Sequence, residues 1–155
     1  MGKNTRMTPQ RAHISDVPHL ARILWACGAV TPCLPRSRSR LAELWLLWRI
    51  TRAGWVRLVR DSNGPVGFIA RDGRRIHALY VHPRGQGLGT GRALLDEAKQ
   101  AEPQLDLYVL QDNLTARRFY MSHGFAQARL CQGEGNDENL PDLQMIWQGT
   151  ARPAP

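Results

Sequence analysis

Four glycines fall at every second position in one short segment of the chain, at Gly85, Gly87, Gly89 and Gly91. The segment reads RGQGLGTGRALL, follows the strand-like run ALYV and opens a stretch with helical spacing. Glycine loses more conformational freedom on folding than any other residue, so a cluster indicates a sharp turn or the close approach of another molecule. The first N–H groups of a helix are unpaired and its dipole is positive there, which favours an anion such as phosphate.

Two familiar phosphate-binding patterns do not fit this segment. The dinucleotide pattern GxGxxG fails in every register, because Thr90, Arg92 and Leu94 stand where its last glycine belongs. The P-loop fails because no Gly-Lys-Ser/Thr follows, and the segment comes after several elements rather than after a first strand. The pattern that does fit is Q/R-x-x-G-x-G/A, from Gln86 to Gly91.

The longer segment LYVHPRGQGLGTGRALLDEA resembles motif A of the GNAT superfamily of N-acetyltransferases, in which this loop binds the pyrophosphate of acetyl-CoA. A second segment, LYVLQDNLTARRFYMSHGF, resembles motif B of the same superfamily. The spacing of the two motifs and a helix–helix–strand opening also agree, so the resemblance covers about residues 10–148. It implies transfer of an acetyl group from acetyl-CoA, as co-substrate, to a primary amine of a small molecule or peptide, by direct attack in a ternary complex.

The resemblance also implies which residues contact the coenzyme. Backbone groups of the strand before the loop would pair with the pantetheine arm, the loop would hold the pyrophosphate, and Asn113 would hydrogen-bond the arm. The implied coenzyme-binding residues are Leu79, Tyr80, Val81, Gln86, Gly87, Leu88, Gly89, Thr90, Gly91, Arg92, Asn113 and Ala116. Alternatives stay open: Leu79 and Val81 as strand core, Arg92 as a solvated side chain, and Asn113 as a helix N-cap.

Tyr120 is the candidate general acid. Attack of an amine on a thioester expels a thiolate, which needs a proton. A phenol with a pKa of about 10 is close in basicity to an alkyl thiolate and is not ionised at neutral pH. The resemblance assigns this role to Tyr120, whereas the alternative is an aromatic side chain on the buried face of its helix, beside Phe119.

His77 is the candidate general base. A lysine-like amine with a pKa of about 10.4 is neutral in only about one molecule in 2,500 at pH 7, so a base accelerates the reaction. His77 lies on the strand that leads to the glycine loop, and imidazole titrates near neutral pH. Relatives often have an acidic residue or an ordered water here, so a histidine departs from the common pattern and water stays an alternative.

The element pattern predicts an α/β (α+β) fold in a single domain. SDVPHLARILWACG predicts a helix capped by Ser15 or Asp16 and stopped by Gly28, and SRSRLAELWLLWRITRAG a second helix with a wide apolar face. The order helix–helix–three strands–helix–strand–helix–two strands predicts a mixed central sheet of about six to seven strands with helices on both faces. The domain spans residues 10–148, and the expected flexible tails are 1–9 and 149–155.

Composition excludes several classes of protein. The chain has 155 residues, 43% of them hydrophobic and 22% charged, which is ordinary for one globular domain. No apolar run approaches membrane-spanning length, and the start MGKNTRMTPQ lacks the core of a signal peptide. Three cysteines without metal-type spacing, Cys27, Cys33 and Cys131, and five scattered histidines predict free thiols, no metal site and a cytoplasmic location.

The acceptor is the least defined partner. The resemblance places it near Trp25, Trp45, Trp48, the TPCLPRS loop and the acidic residues Glu134, Asp137, Glu138 and Asp142. Carboxylates would suit a cationic amine and aromatic rings an apolar one, although the acidic stretch also reads as a solvated loop. A homodimer stays open.

The rival function is a non-catalytic acyl-CoA sensor or a basic nucleic-acid-binding domain. Residues 1–60 carry eleven Lys and Arg against two acidic residues, which favours an anionic partner. The basic residues are not interleaved with aromatic residues in any recognised nucleic-acid module, which argues against nucleic acid. Tyr120 and Asn113 favour an enzyme over a sensor.

Overall fold

A seven-stranded sheet is the centre of the molecule in the computed structural model, which describes residues 7–30, 39–132 and 141–149. The strands are β1 (Gln10–Arg11), β2 (Val56–Asp61), β3 (Gly64–Asp72), β4 (Arg75–Val81), β5 (Gln104–Leu110), β6 (Ala126–Cys131) and β7 (Asp142–Gln148). The helices are α1 (Val17–Val30), α2 (Arg40–Arg52), α3 (Thr90–Ala101) and α4 (Leu114–Ser122). The strand order is β1-β2-β3-β4-β5-β7-β6, and every neighbouring pair is antiparallel except β4 and β5, which are parallel.

Two apolar clusters pack against the sheet, one on each face. Successive side chains of a strand point to opposite faces, and on β3 the side chains of Phe68 and Ala70 join a cluster with α1 and α2, while Ile69 joins a cluster with α3 and α4. The mixed sheet with helices on both faces that the sequence predicts is therefore confirmed.

The start of α1 differs from the sequence-based expectation. A short 3₁₀ turn (Ile14–Asp16) precedes the helix, and His13 is its N-cap. The buried Asp16 carboxylate accepts hydrogen bonds from the His13 N–H at 2.9 Å and from the Arg60 guanidinium at 2.8 Å. Ser15 and Asp16 are thus not N-caps, because both lie inside the turn that His13 caps. The helix also continues past Gly28 to Val30.

The apolar face of α2 is only partly covered. Ser39 caps the helix by accepting a hydrogen bond from the Ala42 N–H at 3.2 Å. Leu47 is buried, whereas Leu41 and Trp45 are exposed. The Arg49 guanidinium lies 4.8 Å from the centre of the Trp45 ring. Fewer apolar side chains of α2 are therefore buried in the core than its wide apolar face predicts.

Lys99 joins three elements on the side of the sheet covered by α3 and α4. Its ammonium group donates a hydrogen bond to the carbonyl of His123, just beyond α4, at 2.6 Å. The same ammonium lies 5.2 Å from the centre of the Trp147 ring on β7. Lys99 therefore ties the last turn of α3 to the end of α4 and to β7.

None of the helices in the described part of the chain is long and apolar enough to cross a bilayer.

Candidate active site

A cleft opens in the middle of the sheet because β4 and β5 pair over only two positions, Arg75 with Asp106 and Ile76 with Leu107. The other edge of β4 pairs with β3 over six positions. In that ladder Arg71 faces Ile76 and Ala70 faces Ala78, so His77 is an extra residue in a β-bulge. A bulge bends its strand and increases its twist. The bulge therefore lies at the position where β4 leaves β5.

The cleft has a volume of about 260 Å³ and takes its lining from β4, β5, α4 and the start of β7. Its lining residues are Ile76, His77, Ala78, Leu79, Tyr80, Leu107, Tyr108, Val109, Leu110, Asn113, Ala116, Tyr120 and Asp142. The structure thus brings together both predicted catalytic residues and four of the predicted coenzyme-binding residues. Val81 and the glycine loop lie beyond this lining, at the end of β4.

The glycine loop leads into the N-terminus of α3, as the sequence predicts. Gly89 is the N-cap, and the first hydrogen bond within the helix runs from the Ala93 N–H to the Gly89 carbonyl at 3.0 Å. The N–H groups of Thr90, Gly91 and Arg92 therefore have no acceptor within their own helix. Such N–H groups, with the positive end of the helix dipole, suit a phosphate.

The four glycines serve two different purposes. A Cβ on Gly85 would lie 2.3 Å from Val66 Cγ2, and one on Gly91 would lie 2.9 Å from Phe119 Cζ, so these two glycines allow close packing. Gly87 and Gly89 instead have positive φ angles of 77° and 84°, and a Cβ on either would meet no described atom within 4 Å. The left-handed backbone and the open space leave room for a ligand at Gly87 and Gly89.

The side chains of the loop are mostly engaged with the protein or turned to solvent. Thr90 is buried, and its hydroxyl donates to the Gly85 carbonyl at 3.1 Å. Leu88 is exposed, and the Arg92 side chain, 75% exposed, lies 3.8 Å from Asp96. A ligand at this loop would therefore meet backbone N–H groups first, with the Arg92 side chain within the same helical turn.

The predicted role of Val81 meets competition from the chain itself. Its carbonyl accepts hydrogen bonds from Gln86 Nε2 at 3.2 Å and from Cys27 Sγ at 2.9 Å. Two donors from the protein already reach this carbonyl, so Leu79 and Tyr80, which line the cleft, are better placed to meet a coenzyme arm.

Asn113 caps α4 and also lines the cleft. Its side-chain oxygen accepts a hydrogen bond from the Ala116 N–H at 3.2 Å, as expected of an N-cap. The cap uses the carbonyl oxygen of the side chain, and the amide group adds donors of its own. Both interpretations offered by the sequence, N-cap and cleft residue, are therefore compatible.

Tyr120 is almost completely buried, with 7% of its surface exposed, and lines the cleft. Its ring packs edge-on against Phe119 and Phe125, at centroid distances of 5.2 and 5.4 Å. Burial, and secondarily the neighbouring Tyr80, raise the pKa of the Tyr120 phenol well above its ordinary value. The phenol is consequently protonated at neutral pH and can act as a proton donor.

His77 lies on the cleft wall but is exposed. Its imidazole stacks on Trp55, with ring centroids 5.3 Å apart and planes 12° apart. Trp55 precedes β2, and the sequence pattern gave no indication that it would approach the cleft. The stack restrains the orientation of the imidazole while leaving the ring accessible to solvent and to a substrate.

The predicted acceptor residues do not all meet at the cleft. Asp142 is buried and lines the cleft, paired in register with Leu110. Trp25 donates a hydrogen bond to the Glu43 carboxylate on α2, and neither it nor Trp45 nor Trp48 belongs to the cleft lining described above. Glu134, Asp137, Glu138 and the TPCLPRS loop lie outside the described residues.

Sequence reasoning missed Tyr108 and Asp106 as residues of this region. Tyr108 lines the cleft and is 43% exposed, although alternation along β5 could have indicated a side chain on the face opposite the buried Leu107 and Val109.

Across residues 7–30, 39–132 and 141–149, no group of His, Cys, Asp and Glu side chains is arranged to hold a metal ion.

A family model described as an acetyltransferase (GNAT) domain matches residues 51–127, which include β2 to α4 and both walls of the cleft. The chain carries a GNAT acetyltransferase domain. It is 37% identical over 95 residues to the peptidyl-lysine N-acetyltransferase YjaB of Escherichia coli, and 38% identical over 92 residues to YiaC of the same organism. These alignments span 61% and 57% of this chain and 64% and 61% of the relatives, less than two thirds of their length.

Solved structures show the same fold. The solution structure of apo YjaB from Escherichia coli superimposes with a TM-score of 0.76 at 23% identity, covering 92% of this chain and 98% of that one. The structure of yncA from Salmonella typhimurium, determined with acetyl-CoA, superimposes with a TM-score of 0.68 at 23% identity, covering 97% and 98%. These similarities confirm the fold expected from the two sequence motifs.

Proposed function

We propose that this protein is an N-acetyltransferase that uses acetyl-CoA to acetylate a primary amine. The observation that carries the proposal is the cleft between β4 and β5, with a glycine loop and a helix N-terminus at one end and a buried tyrosine in its wall. The GNAT acetyltransferase domain and the acetyl-CoA-bound structure of yncA support it.

Acetyl-CoA fits the two parts of this site in different ways. The edge of β4 that β5 leaves carries strand N–H and C=O groups, which suit the amides of the pantetheine arm in the manner of an added strand. The open space at Gly87 and Gly89 and the unpaired N–H groups at the start of α3 suit the pyrophosphate. The thioester would then lie in the cleft near Tyr120.

The transfer needs one proton to leave the amine and one to reach the sulfur. The amine nitrogen attacks the thioester carbonyl carbon, a C–N bond forms and the C–S bond breaks. Tyr120 protonates the departing thiolate, because a tyrosine phenol is in its acid form at neutral pH. The Asn113 amide, at the start of the same helix, helps to hold the coenzyme arm.

His77 would receive the proton of the amine, directly or through a water. The exposed imidazole lines the cleft on a bulge of β4, and its stack on Trp55 fixes its orientation. Geometry therefore supports a base at this position without requiring one, since water also reaches an open cleft.

A cationic amine is the acceptor that the cleft favours. Asp142 is a buried carboxylate in the wall of the cleft. It would attract the protonated form of the amine, which then loses its proton before it attacks the thioester. The relatives YjaB and YiaC are named as peptidyl-lysine N-acetyltransferases. A lysine side chain of a peptide is therefore the first acceptor to test.

Location and assembly form the last part of the proposal. Cys131 is a free thiol, which fits the reducing environment of the cytoplasm. Every residue of the edge strand β6 is exposed or half-exposed, and an edge strand with unpaired backbone groups can pair with a second copy. Light scattering on the purified protein decides between monomer and dimer.

The decisive experiment measures thiol release from acetyl-CoA with a panel of acceptors: lysine peptides, spermidine, free amino acids and an aminoglycoside. Amine-dependent release that is fastest with lysine peptides supports the proposal. Calorimetric binding of CoA without release from any acceptor would instead identify an acyl-CoA sensor, and absence of CoA binding would refute the function.

A further inference from the structure

We propose that the ion pair between Arg75 and Asp106 is a positioning pair that sets where β4 and β5 separate, and thereby the width of the coenzyme cleft. The inference rests on the proposed function for its kinetic consequence. Its structural part concerns the free protein and can be tested without turnover.

The geometry of the pair is that of a two-point contact. Arg75 Nε and Nη2 lie 2.8 and 2.7 Å from Asp106 Oδ2. The hydrogen bond to Asp106 raises the pKa of the Arg75 guanidinium. Hydrogen bonds between charged groups are short and directional, so the two nitrogens together fix the position of Asp106 Oδ2 against the guanidinium.

Further contacts hold each partner in place. The guanidinium of Arg75 lies 4.9 Å from the centre of the Tyr108 ring, a residue of the cleft wall. Gln144 Nε2 donates to Asp106 Oδ2 at 3.3 Å, and the Asp106 N–H donates to the Arg74 carbonyl at 2.9 Å. The pair thus connects β4, β5 and β7.

The ion pair lies one position before the pairing of β4 with β5 ends. Arg75 faces Asp106 in the register of β4 and β5, Ile76 faces Leu107, and the pairing then ends at the His77 bulge. A change in the distance between β4 and β5 at Arg75 would therefore be transmitted directly to His77 and to the strand edge beyond it.

Asp106 has a strong reason to keep its partner. The residue is 6% exposed, and a buried carboxylate that loses its counter-charge is costly. Without Arg75, we expect the Asp106 carboxylate to turn toward solvent. The strands would then separate earlier, and the edge of β4 would lose the fixed spacing that an added strand requires.

The chain offers a matched control in Arg60 and Asp16. This pair also joins a half-exposed arginine to a buried aspartate at 2.8 Å, with side-chain exposures of 37% and 8%, against 41% and 9% for Arg75 and Asp106. It connects β2 to the turn before α1, neither of which lines the cleft. Variants of both pairs should lower the melting temperature by similar amounts. Any difference in CoA binding or turnover between them is then due to the location of the Arg75–Asp106 pair beside the cleft.

The experiment compares Arg75→Lys and Asp106→Asn with Arg60→Lys and Asp16→Asn. Hydrogen–deuterium exchange of residues 77–81 and 108–110 is measured in the free protein, and CoA affinity and the KM for acetyl-CoA are measured well below each melting temperature. In the Arg75 and Asp106 variants only, we expect faster exchange in both segments. In the same variants we expect the CoA affinity to fall, and the KM for acetyl-CoA to rise, by about fivefold or more. Arg75→Lys, which keeps the charge but not the two-point contact, should show the same pattern more weakly than Asp106→Asn.

Two results overturn the proposal. Exchange in residues 77–81 and 108–110 that matches wild type in both Arg75→Lys and Asp106→Asn shows that the pair does not set the strand separation. Coenzyme affinity that changes no more than in the Arg60 and Asp16 variants shows that it does not position the cleft. A wild-type protein that neither binds CoA nor releases thiol would refute the proposed function, and the exchange comparison would still decide the structural claim.

Discussion

Along one edge of β4, six residue pairs join the strand to β3, whereas along the other edge two pairs join it to β5. On the β3 side, α3 packs on the face of the sheet, where a Cβ on Gly67 would lie 2.8 Å from Thr90 Cγ2. The β5 edge instead opens into the cleft with His77, Tyr80 and Tyr120 in its walls. We call these the closed edge and the open edge of β4.

The comparison shows how one strand serves stability and function at once. The same backbone pairs with β3 over six positions on the closed edge and with β5 over only two positions on the open edge. Substitutions near the closed edge should therefore change the free energy of unfolding, and substitutions near the open edge should change binding or turnover. Each of the following measurements can break that division.

The largest effect is expected at the open edge, for Tyr120→Phe. The variant removes the proton donor while the ring keeps its packing against Phe119 and Phe125. We expect kcat to fall about 100-fold or more while CoA affinity stays within a few-fold, because the lost interaction belongs to the transition state. Turnover and melting temperature are measured together. Near wild-type turnover with a lower melting temperature would make Tyr120 a core residue only.

The next effect belongs to the closed edge, for Gly85→Ala. The added methyl would lie 2.3 Å from Val66 Cγ2 and 3.4 Å from Val81 Cγ1, and overpacking of this kind costs about 1–3 kcal/mol. Chemical denaturation should show the loss, while the folded protein keeps turnover within about threefold because the cleft is untouched. Unchanged stability with lost activity would contradict the division between the edges.

Gly89→Ala is a milder test at the phosphate end of the open edge. Alanine at a φ of 84° is strained by about 1–2 kcal/mol, and relief of that strain would turn the N–H groups away from a phosphate. We expect CoA affinity in calorimetric titration to fall about tenfold. Gly73→Ala is the control, since Gly73 also has a positive φ, 57°, and open space around it, but lies in the turn between β3 and β4. Equal affinity in the two variants would remove the phosphate assignment.

A smaller effect is expected for His77→Gln. If His77 takes the proton from the amine, kcat/KM at pH 7 should fall about fivefold, less than a base usually supplies because water enters an open cleft. The deficit should shrink toward pH 9, where more of the amine is already neutral. A deficit that does not vary with pH would assign His77 to packing against Trp55 instead.

The smallest effect concerns the pH dependence of kcat, in which we expect ionisation of Tyr120 to cause no change up to pH 10. Burial, with the nearby Tyr80, raises the pKa of Tyr120, so the phenol keeps its proton at every pH below about 10, the pKa of an unperturbed tyrosine. Its contribution to stability is likewise complete below that pH and is lost only above it. kcat measured from pH 7 to 10 should show no basic limb from Tyr120. A limb centred below pH 9 that disappears in Tyr120→Phe would contradict the burial.

The sequence predicts those features of the site that depend on neighbouring residues. The glycine loop, the start of α3 and the cap at Asn113 are encoded within a few residues, so motif and spacing were enough for them. The two types of glycine could not be separated, because Gly85 meets Val66 and Gly91 meets Phe119 only after folding.

The open edge itself depends on contacts between distant segments. The stack of His77 on Trp55 joins residues 22 positions apart, and the contact of Arg75 with Asp106 joins residues 31 positions apart. The extra residue His77 in the β3–β4 ladder follows from strand register. Strand register cannot be read from the composition of either strand alone. For the same reason the sequence predicts Ser15 or Asp16 as the cap of the first helix, whereas in the structure Asp16 pairs with Arg60 on β2.

The contact of Lys99 with the His123 carbonyl and the Trp147 ring has a practical consequence for assays. The chain contains two lysines, Lys3 and Lys99, among its 21 basic residues. The ammonium group of Lys99 must break a hydrogen bond before it can react as a nucleophile. If the protein modifies lysine, Lys99 is therefore a poor target for self-acetylation, and it adds little to the radiolabel or antibody signal from an added substrate.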